Sequence, residues 1–155
     1  PRPRGSFELM RIAIDSEPRL LRVLRGVVRL RAQEAGFSKS EAERLAMAID
    51  EAAANVILHT YGGRPDARLA LEVRHFRDRL EFILEDWGPK VCEEQIRPRS
   101  LEDLRPGGLG TFFISSFMDE CSYDRDFRDG NRLRLVKYLS RKGSTYNEGS
   151  SSQTG

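Results

Sequence analysis

The stretch Glu51-Ala52-Ala53-Ala54-Asn55-Val56-Ile57-Leu58-His59-Thr60-Tyr61 decides how this chain is read. Residues four apart on a helix are offset by roughly 40° and about 6 Å of rise, so Glu51, Asn55 and His59 line one flank. That flank runs beside an apolar stripe of Leu45, Ile49, Ala52 and Val56. Ser38-Lys39-Ser40-Glu41 has the Ser-x-x-Glu form of a capping box and starts the helix; Gly62-Gly63 ends it. Polar side chains so placed can point into a cleft. Asn55 offers a neutral carbonyl oxygen, which suits a hard Mg²⁺ that also keeps phosphate oxygens and waters, and Glu51 can polarise a hydroxyl or water as general base. Taken alone, the spacing favours a plainer reading, with Glu51 solvated and Asn55 hydrogen-bonded locally.

Outward from that helix, residues 7–14 read as a strand with one well-buried face: Phe7 and Leu9 alternate with Glu8 and Arg11, and Met10, Ile12 and Ile14 make the other face apolar too. Ser16 and Pro18 open a first helix in which Leu20, Leu21, Leu24, Val27 and Val28 recur at helical spacing; Gly36 stands where a left-handed cap falls. Arg22, Arg25 and Arg29 stripe another face of it, either as a surface for an acidic partner or as a solvated face. Leu69, Leu71 and Val73, a turn near Arg77-Asp78, then Leu80, Phe82 and Leu84 form a β-hairpin. Residues 89–106 hold three prolines and no clean period, which predicts a long loop of the kind that serves as a lid. Residues 109–118 read as a helix, and residues 121–125 and 132–138 as a closing hairpin around Asp129-Gly130-Asn131. The order β-α-α-β-β-loop-α-β-β makes an α+β layer of helices on one sheet.

Two more segments carry chemistry. Asp86-Trp87-Gly88 ends an apolar strand, and a carboxylate held there can accept the exocyclic amine of adenine and so distinguish it from the guanine carbonyl. By itself Asp86 is also compatible with an ordinary turn. Gly107-Gly108-Leu109-Gly110-Thr111 brings backbone N–H groups to the start of a helix, where dipole and unpaired donors favour phosphate. It is not a P-loop, since no Lys-Ser or Lys-Thr follows, it lacks the spacing of a dinucleotide fold, and taken alone it reads more readily as a flexible turn. Together the three segments read as a site for Mg-ATP.

The set resembles the ATP site of the histidine-kinase-like (GHKL) ATPase superfamily, and within it the serine/threonine kinases that act as bacterial anti-sigma factors; the likeness runs from about Phe7 to Tyr138. The resemblance implies the GHKL (Bergerat) fold, with helices packed on one face of a mixed, mainly antiparallel sheet. It implies Asn55 as the magnesium ligand, Glu51 as the catalytic base and Asp86, with Gly88, as the adenine motif. It also implies a phosphate loop of Gly107, Gly108, Leu109, Gly110 and Thr111, with Arg105 placed to meet a terminal phosphate. Lys90 stands where the second glycine of a full Asp-x-Gly-x-Gly motif would be. The implied activity is phosphorylation of a serine or threonine on an anti-sigma-factor antagonist, with a sigma factor, an opposing phosphatase and a second copy of the kinase as further partners. The rival is a nucleotide-binding switch module that binds protein partners without transferring phosphate. Retention of Glu51 favours the enzyme. His59 is expected to pack or support the site, His75 to be structural, and Trp87 to pack against the lid or a partner.

Composition narrows the rest. At 155 residues and 39% apolar the chain has the size of one domain with a single core: residues 6–139, between a disordered 1–5 and a polar, disordered tail 140–155. The 26 basic and 24 acidic residues nearly cancel, so no global field draws it to nucleic acid or an anionic membrane. No apolar run reaches the roughly 18 residues that span a bilayer, and the start at Pro1 does not read as a signal peptide, which makes cytoplasmic the default location. The missing initial Met fits a trimmed chain or a piece of a longer protein. Cys92 and Cys121 stand apart without a Cys-x-x-Cys unit and are expected to be reduced, mostly buried thiols.

Overall fold

A computed structural model describes residues 5–91, 114 and 116–140. Among the described residues five strands form one sheet: β1 (Glu8–Asp15), β2 (Arg68–His75), β3 (Arg79–Asp86), β4 (Glu120–Tyr123) and β5 (Asn131–Tyr138). Their order is β1-β2-β3-β5-β4, and every pairing is antiparallel. The helices α1 (Leu21–Ala35) and α2 (Lys39–Asn55) pack on one face. The expected lid at residues 89–106, the expected start of a helix at 109 and the phosphate loop lie outside the described residues, apart from the stretch 89–91. So do residues 1–4 and 141–155, which make up most of the two expected tails.

Local chemistry sets the element ends. The capping box forms as the sequence implies: Ser38 Oγ accepts the Glu41 N–H at 3.1 Å, and a Glu41 carboxylate oxygen accepts the Ser38 N–H at 3.2 Å. Gly36 closes α1 at φ 104°, a left-handed conformation natural to glycine, and donates to the freed carbonyls of Ala32 and Gln33. Ser16 does not cap a helix as expected. It is buried, its hydroxyl donates to the Arg64 carbonyl, and it accepts the Ala67 N–H at 3.1 Å, which ties the end of β1 to the approach to β2. A short 3₁₀ turn, Pro18–Leu20, leads into α1 instead.

Leu24, Val28, Leu45, Ile49, Leu69, Leu71, Phe82 and Leu135 are fully buried between helices and sheet. Each large side chain contributes about 1.5–3 kcal/mol by leaving water. Among the described residues the opposite sheet face carries charge rather than a second helix layer. Glu85 accepts from Arg11 at 2.9 Å and Arg132 at 3.0 Å, while Glu81 accepts from Arg79 at 2.7 Å and Arg134 at 2.9 Å. Burial acts to raise both carboxyls, but the paired arginines outweigh it and hold them below the usual glutamate value. The α1 arginines are similarly occupied. Arg25 pairs with Asp50 at 2.7 Å and Arg29 with Glu43, so two of the three clamp α1 to α2 and are not free for an acidic partner.

Candidate functional site

Helix α2 does not end at Asn55; it continues as a single wider turn, Val56–Thr60, in which the Tyr61 N–H reaches the Val56 carbonyl at 2.9 Å. Such π-turns recur at functional sites. Glu51 and Asn55 keep the α-helical spacing expected of them and are half-buried, with no side-chain hydrogen bond among the described residues. Two polar groups without a partner among the described residues, at the end of a packed helix, are available to a ligand. His59, in the wider turn, is exposed rather than packed.

The turn matters because it delivers Tyr61. Its hydroxyl donates to the Arg68 carbonyl and accepts the Trp87 N–H at 2.9 Å, and so bolts the end of α2 to the start of β2 and the end of β3. The fit there is close. A Cβ on Gly88 would stand 2.4 Å from the Thr60 methyl and 3.2 Å from the Tyr61 ring, so glycine is what lets the segment after β3 lie against the helix end. The structure thereby brings the Glu51–Asn55 helix and the Asp86-Trp87-Gly88 motif to one side of the domain. His59, Thr60, Tyr61, Arg64, Trp87 and Gly88 are among the walls of an open cavity of about 680 Å³ at this junction. Trp87 is itself exposed, with its backbone held by Tyr61.

Asp86 is the most constrained polar group of the set. It is 2% exposed at the end of β3, on the helix-facing side of the sheet, opposite Leu69 of β2 and Asn131 of β5. Its Oδ1 accepts the Gly88 N–H at 3.0 Å and an Asn131 side-chain N–H at 2.9 Å. Burial pushes the carboxyl above its ordinary value; Asn131, the Gly88 N–H and the charge of Lys90 oppose that rise. Burying a carboxylate beside neutral donors is costly, and buried carboxyls with a raised pKa recur at functional sites.

Asn131 is the residue that the sequence concealed, since Asp129-Gly130-Asn131 reads as a hairpin turn. It is instead the buried first residue of β5. Gly130 next to it has no room for a side chain: a Cβ there would lie 1.9 Å from the Asp86 carbonyl oxygen and 2.6 Å from the Trp87 Cα. Only the pairing of β3 with β5, a contact between distant segments, reveals either role. Arg105, Gly107, Gly108, Leu109, Gly110 and Thr111 fall outside the described residues, as does Cys92. Cys121 is exposed among the described residues, against the expectation of a buried thiol. Burial of part of the group still raises its pKa above the usual thiol value.

A model of the histidine kinase-like ATPase domain matches residues 14–137, which runs from the end of β1 into β5 and takes in α1, α2 and the Asp86 motif. This chain belongs to the histidine kinase-like ATPase family. Proteins similar to this ATPase domain include the serine-protein kinase RsbW of Bacillus pumilus, 28% identical over 147 residues, with 88% of this chain and 90% of the relative covered. The serine-protein kinase RsbW of Listeria innocua is 31% identical over 119 residues, covering 72% of this chain and 74% of the relative. That of Oceanobacillus iheyensis is 24% identical over 143 residues, covering 87% and 89%. The matches extend over the whole α+β core, so the Bergerat-type architecture and an ATP-using site are properties of this domain. No helix among the described residues is long and apolar enough to cross a membrane.

Proposed function

We propose that this chain is a Mg-ATP-dependent serine/threonine protein kinase acting as an anti-sigma factor, which phosphorylates an anti-sigma-factor antagonist. The observation that carries the reading is the placement of Glu51 and Asn55, unpartnered among the described residues, on the helix whose end Tyr61 fastens to the Asp86 motif. The names of the relatives support phosphoryl transfer to serine. In this reading the folded unit is residues 6–139 and the protein works in the cytoplasm. A sigma factor, an opposing phosphatase and a second copy of the chain complete its set of partners.

The described residues fit the nucleotide. A buried acceptor at a strand end suits an adenine amine, and the oxygen of Asn55 suits a magnesium ion shared with phosphates. Among the described residues no cluster of three His, Cys, Asp or Glu could hold a metal by itself, so an ion at Asn55 would rely on phosphate oxygens and water for its other ligands. When bound, Mg-ATP supplies the transferable phosphoryl group and the charge neutralisation that its departure from ADP needs. Asp86 fixes the base, and Gly88 keeps the chain close enough for it to do so. Glu51 takes the proton of the acceptor hydroxyl as that oxygen bonds to phosphorus. We assign phosphate binding to Gly107, Gly108, Leu109, Gly110 and Thr111, with Arg105 on the terminal phosphate.

The test is incubation with γ-labelled ATP and candidate antagonist proteins. Label on a serine or threonine of a protein that binds the chain is the expected result. A tightly bound partner that never takes up label would turn the reading to the switch module.

A further inference from the structure

Asn131 makes three hydrogen bonds from a position that is 4% exposed. Its Nδ2 donates to Asp86 Oδ1 at 2.9 Å and to the Pro89 carbonyl at 2.8 Å, and its Oδ1 accepts the Val91 N–H at 2.9 Å. The amide can point only one way. Flipped, it would set its oxygen against a carboxylate and a carbonyl, and its NH₂ against an N–H. Gly130, which admits no side chain, presses the same strand end onto the Asp86 and Trp87 backbone. Beside it Lys90 donates to the Phe127 carbonyl, so the β4–β5 hairpin and the chain leaving β3 are joined at two points.

We propose that Asn131 is the positioning residue that makes Asp86 selective for adenine over guanine, because its amide donor occupies Asp86 Oδ1 and holds the carboxyl as an acceptor. The proposal rests on the reading of Asp86 as the group that meets the base. An ionised carboxyl accepts from the adenine amine and repels the guanine carbonyl; a protonated one carries an O–H that guanine can accept. Selectivity therefore depends on the proton staying off a group that burial already pushes toward taking one up. Among the described residues, the groups that face Asp86 are few. Lys90 comes from the segment after β3, Tyr61 from the end of α2 and Tyr123 from β4, while Leu69 of β2 is apolar. Lys90 has its ammonium engaged at Phe127, and the Tyr123 hydroxyl, pushed up to about 12 by burial, stays neutral. Among the described residues that leaves the Gly88 N–H and the side-chain and backbone N–H groups of Asn131 as the direct donors to Asp86, and only the Asn131 side chain is lost on substitution.

The experiment measures affinity for non-hydrolysable ATP and GTP analogues by calorimetry, from pH 5.5 to 8.5, on wild type, Asn131→Asp and Asn131→Leu. Asn131→Asp keeps the shape but sets a second carboxylate against Asp86, and two such groups in contact do not both ionise. Asn131→Leu removes the donor without adding a charge. The expected result is a wild-type preference for the ATP analogue that hardly changes across the range. Both variants should lose that preference by about tenfold or more, the worth of one charge-assisted hydrogen bond. Their preference should also shrink further as pH falls, since a purely structural loss would weaken both nucleotides equally at every pH. Should Asn131→Leu fail to melt cooperatively, Asn131→Asp carries the test alone. Wild-type selectivity and a flat pH profile in a folded variant would overturn the proposal while leaving Asp86 as the adenine reader. Absence of selectivity in wild type would instead remove the Asp86 reading itself.

Discussion

Replacing Gly130 by alanine drives a methyl group into backbone. The new Cβ would stand 1.9 Å from the Asp86 carbonyl oxygen, where ordinary contact begins near 3.4 Å, so the tip of the β4–β5 hairpin must retreat by about 1.5 Å. Neither obstacle can rotate away: the second, the Trp87 Cα at 2.6 Å, is also main chain. Overpacking of this kind costs about 1–3 kcal/mol, and a rigid obstacle puts Gly130→Ala at the upper end, about 2–3 kcal/mol. For a folded unit of this size that lowers Tm by roughly 8–12 °C. Gly88→Ala is the internal control. Its nearest obstacle, at 2.4 Å, is the Thr60 methyl, which a side-chain rotation can move, so about 1 kcal/mol is expected there. Urea unfolding of both variants measures the difference, with the denaturant slope unchanged if the folded states remain alike. Equal stability of the two variants, or a Gly130→Ala as stable as wild type, would refute the close approach of hairpin and β3.

Two further outcomes follow from the same geometry. Asp86→Asn should weaken ATP by about 1–3 kcal/mol in isothermal titration, the cost of one polar contact turned unfavourable in a buried site; equal affinity of wild type for ATP and GTP would remove the adenine assignment. Glu81 and Glu85, whose carboxyls the arginines hold below the usual glutamate value, stabilise the fold above that value and lose the contribution as pH falls through their lowered native values. Melting between pH 7 and 3 should show the Glu81→Gln, Glu85→Gln double variant losing less stability on acidification than wild type, and parallel curves would contradict the role given to the arginine lattice.

Local chemistry was legible in the sequence, and contacts between distant segments were not. The capping box at Ser38 and Glu41, the left-handed Gly36 and the β2–β3 hairpin each depend on neighbours in the chain, and each formed as read. The π-turn at Val56–Thr60 has no local signal, because its reason is the delivery of Tyr61 to Arg68 and Trp87. Ser16 looked like a helix start, since Pro18 follows it, but its partners Arg64 and Ala67 lie in the approach to β2. Arg25 and Arg29 looked free because the carboxylates that hold them, Asp50 and Glu43, belong to the next helix. Of the site, Glu51, Asn55, Asp86 and Gly88 were readable as types at a spacing. Asn131 was not, because a turn asparagine and a buried hydrogen-bond hub look alike until β5 is paired with β3.

The central claim is that Glu51 activates the acceptor hydroxyl at a nucleotide site that Asn55 and Asp86 hold. It is tested most directly by measuring nucleotide affinity and single-turnover phosphate transfer on wild type, Glu51→Ala and Asn55→Ala with the same acceptor protein. Glu51→Ala should keep ATP affinity within several-fold while transfer falls by about 10²-fold or more, and Asn55→Ala should lose affinity and transfer together. Phosphate transfer by Glu51→Ala at the wild-type rate would contradict that claim.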